Sequence, residues 1–156
     1  MRFVLDASLT LTWCFEDEST EFTRSVLKAM PDVGAAVPDI WSYEVANGLR
    51  FGQQQNRVTE ARADEFVDEL KELPITKVVL WSDALLRDVR KLASRHQLSV
   101  YDASYLELAM QLGLPLGTMD GSGKKKGLKQ AAIASGVKLV DKEQVEVWSR
   151  TAQEDG

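Results

Sequence analysis

Four acidic residues occur at positions where a carboxylate could do chemistry. Asp6 and Asp120 each follow a short apolar run, Asp102 stands near the start of a predicted helix, and Glu44 lies in a helical stretch among apolar side chains. Four carboxylates brought close together would repel one another unless a cation lay between them. Mg²⁺ and Mn²⁺ are hard cations that take oxygen ligands, so the four residues together predict a site for one of these ions.

Each of these residues also has a purely structural interpretation. Asp6, Asp102 and Asp120 could each cap a helix or close a turn. Glu44 could pair with a lysine or with Asn47. These interpretations stay open for any one residue, and only the occurrence of all four together favours a metal site.

Composition limits the other kinds of active site. The chain has 156 residues, with one cysteine and one histidine, which argues against a zinc site of Cys and His ligands and against a Cys–His or Ser–His–Asp nucleophile. Cys14 lies in an apolar stretch and is expected to be buried. His96 is expected at the C-terminal end of a helix.

The elements that must position the acidic residues follow from the apolar pattern. Strands are expected at residues 2–5, 34–38, 75–81, 114–118 and 137–140, with helices between them. This alternation predicts an α/β domain with a mainly parallel sheet and right-handed crossovers. In such a sheet ligands bind beyond the carboxyl ends of the strands, which is where Asp6 and Asp120 would lie.

Helix boundaries are expected at residues that cap or break helices. Pro31 should stop the helix that follows the early acidic segment, and Thr59 should cap another. Ser82 should cap a helix that turns Leu85 and Leu86 inward. We expect one domain of residues 1–145, followed by a C-terminal tail of residues 146–156.

The order of four segments resembles the motifs of the PIN-domain family, and in particular the VapC-type toxins of bacterial and archaeal toxin–antitoxin pairs. The segments are 4–8, 38–47, 101–105 and 118–120, and the resemblance covers about residues 2 to 140. One departure is the glycine-rich run 121–123, where relatives commonly continue with a more basic segment.

The resemblance implies an α/β/α sandwich with a central, mainly parallel five-stranded sheet. It also implies an acidic pocket that holds one or two Mg²⁺ or Mn²⁺ ions and cleaves RNA endonucleolytically. The residues that match the family's acidic, metal-binding and catalytic positions are Asp6, Glu44, Asp102 and Asp120. Ser8 and Thr118 match hydroxyl positions close to the metal or its waters, and Asn47 matches a polar position near the pocket. Capping or backbone hydrogen bonding is the other interpretation of these three.

Partners and location follow from the same resemblance. It implies an RNA substrate, a VapB-like antitoxin encoded alongside, a homodimer and inhibition of translation. The sequence contains neither a signal peptide nor a run approaching the ~18 apolar residues of a membrane span, so we expect a cytoplasmic protein with no membrane partner.

A basic segment stands out from the overall charge of −5. Residues 121–140 contain no acidic residue and five lysines, which are Lys124, Lys125, Lys126, Lys129 and Lys138. The first three are candidates for contacts to RNA phosphates, although a lysine run is also typical of a solvated loop.

Four other functions could be carried by motifs of this kind. A haloacid dehalogenase-type phosphotransferase needs a second Asp two residues after the first, where this chain has Ser8. A receiver-like signalling domain needs paired acids near the end of the first strand, which are not evident. A catalytically silent PIN-like binding module and a housekeeping RNA-processing nuclease both remain compatible with the motifs.

Overall fold

Strands and helices alternate along the chain in the computed structural model, which describes residues 1–81, 83–120 and 127–154. The strands are β1 (Phe3–Leu5), β2 (Ala35–Pro38), β3 (Ile75–Val78) and β4 (Leu116–Gly117). The α-helices are α1 (Ala7–Leu11), α2 (Glu21–Val33), α3 (Ile40–Gln54), α4 (Glu60–Lys71), α5 (Arg90–His96), α6 (Val100–Leu112), α7 (Leu128–Ala134) and α8 (Lys142–Glu154). A 3₁₀ turn (Glu16–Glu18) and a π-helical segment (Ala84–Val89) complete the described elements.

The strands form one parallel sheet in the order β3-β2-β1-β4. Phe3 and Leu5 of β1 pack on one face, against α2 and α8, whereas Val4 packs on the other face, against α6 and α7. A strand that is buried on both faces has a continuously apolar sequence, and the sequence of β1 is of this kind. The α/β/α sandwich predicted from the sequence is therefore confirmed.

The predicted fifth strand differs from the structure. Residues 137–140 contribute only one bridge, between Leu116 and Leu139, beside a described sheet of four strands. Leu116 donates its N–H to the carbonyl of Lys138 and accepts from the N–H of Val140, both at 2.9 Å. Because β4 is only two residues long, it offers this segment too few backbone groups for a longer ladder.

Two expectations were wrong, one about the end of a helix and one about which side chains face inward. Pro31 lies inside α2, which continues to Val33 because that side chain is buried. Leu85 and Leu86 are 39% and 66% exposed, and the nearby residue that is buried is Val89. The π-helical segment has a wider turn than an α-helix, so these leucines leave the stripe that an α-helical pattern predicts. Ser82 lies outside the described residues.

Other local expectations agree with the structure. Thr59 caps α4 by accepting from the N–H of Arg62, Cys14 is buried, and His96 is the last residue of α5. Residues 146–154, expected as a tail, continue α8, and Trp148 on this helix stacks on Phe3 with ring centroids 5.3 Å apart. The domain boundary at residue 145 stays a prediction. Among the described residues, no helix combines the length and apolar character needed to cross a membrane.

Candidate active site

Asp6 lies where β1 ends and α1 begins, and its carboxyl is buried. It occupies the N-cap position of α1, but its side chain forms no capping hydrogen bond. Instead Oδ2 accepts from the hydroxyls of Ser8 and Thr118, both at 2.6 Å. No described residue donates to Oδ1, which leaves that oxygen available to a ligand. The cap interpretation of Asp6 therefore fails.

Ser8 and Thr118 link the start of α1 to the segment after β4. Their hydroxyl oxygens are 3.2 Å apart. Ser8 Oγ accepts from the N–H of Met119 at 2.9 Å, and Thr118 Oγ1 accepts from the N–H of Asp120 at 3.0 Å. Each hydroxyl thus has both a donor and an acceptor role fixed, so the pair holds Asp6 in one orientation.

Glu44 points into the protein from α3. Its Oε1 is buried and has no hydrogen-bond partner among the described residues, and the same is true of the Tyr105 hydroxyl. The Tyr105 phenol lies next to the Glu44 carboxyl and interacts with it electrostatically, without the geometry of a hydrogen bond. Buried polar atoms without partners are rare in proteins, and they mark a place where a ligand or an ion completes the set.

Asp102 and Asp120 come from two further segments, the first turn of α6 and the residues after β4. Asp102 is in the first turn of α6, which Ser99 caps by accepting from the Asp102 N–H, so the Asp102 carboxyl is not the cap. Asp120 does have a capping role, because its Oδ2 accepts from the N–H of Leu128 at the start of α7, at 3.2 Å. The cap interpretation is thus wrong for Asp102 and partly right for Asp120.

The four carboxylates influence one another's protonation. We call Asp6, Glu44, Asp102 and Asp120 the acidic set. Burial raises the pKa of Asp6 to about 6, with smaller increases from the charges of Asp102 and Asp120, against the lowering effect of its two hydroxyl donors. Burial, followed by the charges of Asp6 and Asp102, raises the pKa of Glu44 to about 7.

The same forces act on the neighbours of these two groups. The pKa of Asp102 is raised by burial and by the charge of Asp120. Burial and the charges of Asp6 and Glu44 hold the pKa of Tyr105 well above its usual range, so this phenol stays neutral. Carboxylates that raise one another's pKa form a site that favours a bound cation.

The donor atoms of the acidic set fit Mg²⁺ or Mn²⁺. All are carboxylate oxygens, two of them, Asp6 Oδ1 and Glu44 Oε1, are without a described hydrogen-bond donor, and none forms an ion pair with a described Lys, Arg or His. Among the described residues, however, no three acidic side chains are grouped closely enough to hold one ion as they stand. Three of these side chains would therefore have to come closer together to share one ion.

Of the four remaining predicted site residues, only Asn47 is among the residues that the structure describes. Asn47 is exposed on α3 and forms no hydrogen bond to the acidic set within the described part of the chain. Lys124, Lys125 and Lys126 lie outside the described residues.

Sequence reasoning missed three residues that shape the site. Tyr105 stands three residues after Asp102, a spacing that puts both side chains on one side of α6. Thr10 donates to the carbonyl of Asp6 at 3.1 Å and accepts from Trp41 Nε1 at 3.0 Å, which ties α3 to the residue that carries the buried carboxyl. The helical spacing was readable in the sequence, but the Thr10–Trp41 contact was not.

Comparison with known proteins agrees with this fold. A model of the PIN domain matches residues 3–127, and the chain therefore belongs to the PIN-domain family. Ribonuclease VapC3 of Pyrobaculum aerophilum is 33% identical to it over 122 residues, which make up 77% of this chain and 90% of that protein. The resemblance to a VapC-type PIN protein is thereby confirmed.

A solved structure shares the fold. The crystal structure of PAE2754 from Pyrobaculum aerophilum matches with a TM-score of 0.67, covering 96% of this chain and 90% of that one. At 19% identity this similarity concerns the fold alone.

Proposed function

We propose that this chain is an endoribonuclease that hydrolyses RNA phosphodiesters with Mg²⁺ or Mn²⁺. The observation that carries the proposal is the convergence of four carboxylates, from four separate segments, on the carboxyl edge of the sheet without a described cation to balance them. The likeness to Ribonuclease VapC3 supports RNA as the substrate.

Within the site the chain's own residues have distinct tasks. Asp6 and Asp102, with help from Glu44 and Asp120, would hold the ion. A divalent ion bound there supplies a water of lowered pKa and offsets negative charge on the leaving oxygen. Ser8 and Thr118 keep the Asp6 carboxylate oriented through their two short hydrogen bonds. The expected products carry a 5′-phosphate and a 3′-hydroxyl.

The biological setting is proposed on the same basis. The chain would be the toxin of a VapBC-type pair, inhibit translation in the cytoplasm, act as a homodimer and be held inactive by a VapB-like antitoxin. The match to the PIN-domain family and the similarity to Ribonuclease VapC3 support this setting.

The proposal is tested by incubating the purified chain with end-labelled RNA in Mg²⁺, in Mn²⁺ and in EDTA. We expect cleavage with either metal and none in EDTA, with the label and the end chemistry showing internal cuts that leave 3′-hydroxyls. The Asp102→Asn variant is the inactive control. RNA binding without cleavage would instead favour a silent module, and trimming of precursor RNA without arrest of translation would favour a housekeeping nuclease.

A further inference from the structure

A cavity of about 230 Å³ lies at the carboxyl edge of the sheet, where the acidic set also lies, because it is lined by Pro38, the last residue of β2, and by Leu80, just after β3. Two of its lining residues directly precede members of that set, Tyr43 before Glu44 on α3 and Tyr101 before Asp102 on α6. Helices α3 and α6 thus contribute both to the lining of the cavity and to two of the four members of the acidic set, Glu44 and Asp102. A ligand in the cavity would therefore lie at the ends of these two helices that also carry carboxylates.

The two tyrosine rings are unusually accessible. Tyr43 is 74% and Tyr101 60% exposed, and within the described residues neither ring packs on another aromatic ring. Ile40, Leu80 and Leu85 supply an apolar wall behind them. Exposed aromatic rings beside an apolar wall favour a flat, weakly polar ligand, because such a ligand can stack on the rings and leave water.

The charge of this cavity disfavours a phosphate. The one charged residue in its described lining is Asp39, which is exposed. A carboxylate repels a phosphate but can accept a hydrogen bond from the N–H groups on the edge of a nucleobase. An apolar wall, two aromatic rings and one acceptor together match a base and not the backbone of RNA.

We propose that this cavity binds one unpaired nucleobase of the RNA, next to the phosphodiester that the acidic set cleaves, by stacking on Tyr43 and Tyr101. The inference rests on the proposed ribonuclease function and deepens it, since it assigns residues that position the substrate and set cleavage preference. Stacking on aromatic side chains is the common means by which proteins hold single-stranded bases.

The first experiment measures cleavage preference. A pool of single-stranded RNA of random sequence is cleaved in Mg²⁺, and the new ends are sequenced. The wild type should show a base preference at one position beside the cut, which Tyr43→Ala and Tyr101→Ala relax and Tyr→Phe at either position retains. Phe51→Ala is the matched control, because Phe51 is a 50% exposed ring on the same helix that does not line the cavity.

The second experiment measures binding without turnover. An RNA of the preferred sequence carries 2-aminopurine at the position beside the cut, and the proteins carry Asp102→Asn in EDTA. Stacking should quench the aminopurine, and either alanine variant should lose this quenching and bind roughly 5- to 150-fold more weakly. The phenylalanine variants and Phe51→Ala should behave like the parent.

The outcomes separate this inference from the proposed function. No cleavage by the wild type in any metal would remove the proposed function itself. Cleavage with the same base preference in the wild type and both alanine variants would overturn the nucleobase cavity alone. If the alanine variants keep that preference and instead change the molecular mass in solution, the exposed rings contact a second copy of the chain and the nucleobase assignment is wrong.

Discussion

The carboxyl of Asp6 combines two features that seldom occur together, burial and an excess of negative charge nearby. Two hydroxyl donors offset part of the cost of burying its charged form, yet its pKa still rises to about 6. A bound divalent cation would reverse this effect. The residue is therefore poorly suited to the protein without metal and well suited to the protein with it.

Replacing Asp6 should separate catalysis from folding. Asp6→Asn keeps the shape and still accepts hydrogen bonds from Ser8 and Thr118, but it loses the charge. We expect RNA cleavage to fall at least 100-fold while the circular dichroism spectrum is unchanged. Asp32→Asn, an exposed position on α2, is the control and should cleave normally. Cleavage by Asp6→Asn at the wild-type rate would show that Asp6 is not a metal ligand.

Stability without metal should depend on pH because of Asp6 and Glu44. Their pKa values in the folded protein, about 6 and about 7, lie above the ordinary 3.8 and 4.5. Between about pH 4 and 7 the folded state therefore binds more protons than the unfolded state, so the free energy of unfolding falls as the pH rises. For Asp6 the difference amounts to about 3 kcal/mol at most.

Urea unfolding in EDTA at pH 5 and at pH 7.5 measures this dependence. The wild type should be more stable at pH 5, and Asp6→Asn should show a smaller difference between the two values. A variant with the full pH dependence of the wild type would assign the effect to other groups.

At the scale of secondary-structure elements, the positions most readable from sequence were those set by local chemistry. A short apolar run followed by Asp6 predicted a strand with an acid at its carboxyl end, and the structure agrees. The strand order and the reduction of residues 137–140 to one bridge depend on pairing across distant parts of the chain. The Thr10–Trp41 hydrogen bond also joins residues that are far apart in sequence, so no local sequence pattern predicts it.

The turn between α2 and β2 requires glycine. Gly34 has φ +59° and ψ 165°, and a Cβ there would lie 3.0 Å from the carbonyl oxygen of Pro74, which already accepts from Ala35. Gly34→Ala should therefore lower the free energy of unfolding by about 1–3 kcal/mol.

Gly113 is the matched control for Gly34. It also has a positive φ, +63°, but a Cβ there would meet nothing within 4 Å, so Gly113→Ala should cost only about 1 kcal/mol. Chemical denaturation of both variants gives the comparison. Equal losses would mean that the Pro74 carbonyl moves aside easily.

At the scale of the whole molecule, a metal that binds only the folded state should stabilise it by mass action. At 100 times its dissociation constant, Mn²⁺ would add about 2.7 kcal/mol, or on the order of 5–10 °C in Tm for a chain of this size. Thermal scans over a wide range of Mn²⁺ concentration test this with the wild type and Asp6→Asn. A wild-type Tm that does not respond would count against metal binding by the acidic set.

The lysine segment should contribute affinity without sequence preference. Changing Lys124, Lys125 and Lys126 together to Gln, in an inactive Asp102→Asn background, should weaken RNA binding about equally for all sequences. The salt dependence should flatten by up to ~0.7 units per lost phosphate contact. Base preference at the cut, measured with the same three changes in the active chain, should persist. Unchanged affinity and salt slope would assign these lysines to solvent or to an antitoxin interface.

The stacking of Trp148 on Phe3 joins a residue of α8 to the strand that leads into Asp6. A ribosome makes Phe3 long before it makes Trp148, so the face of β1 that packs on α2 and α8 lacks the contribution of α8 until that helix has emerged. Nascent chains arrested before residue 148 should thus be open to protease, whereas chains arrested well beyond it should resist. For the proposed ribonuclease, this order of assembly would delay the active fold until the messenger being read has already been translated through α8.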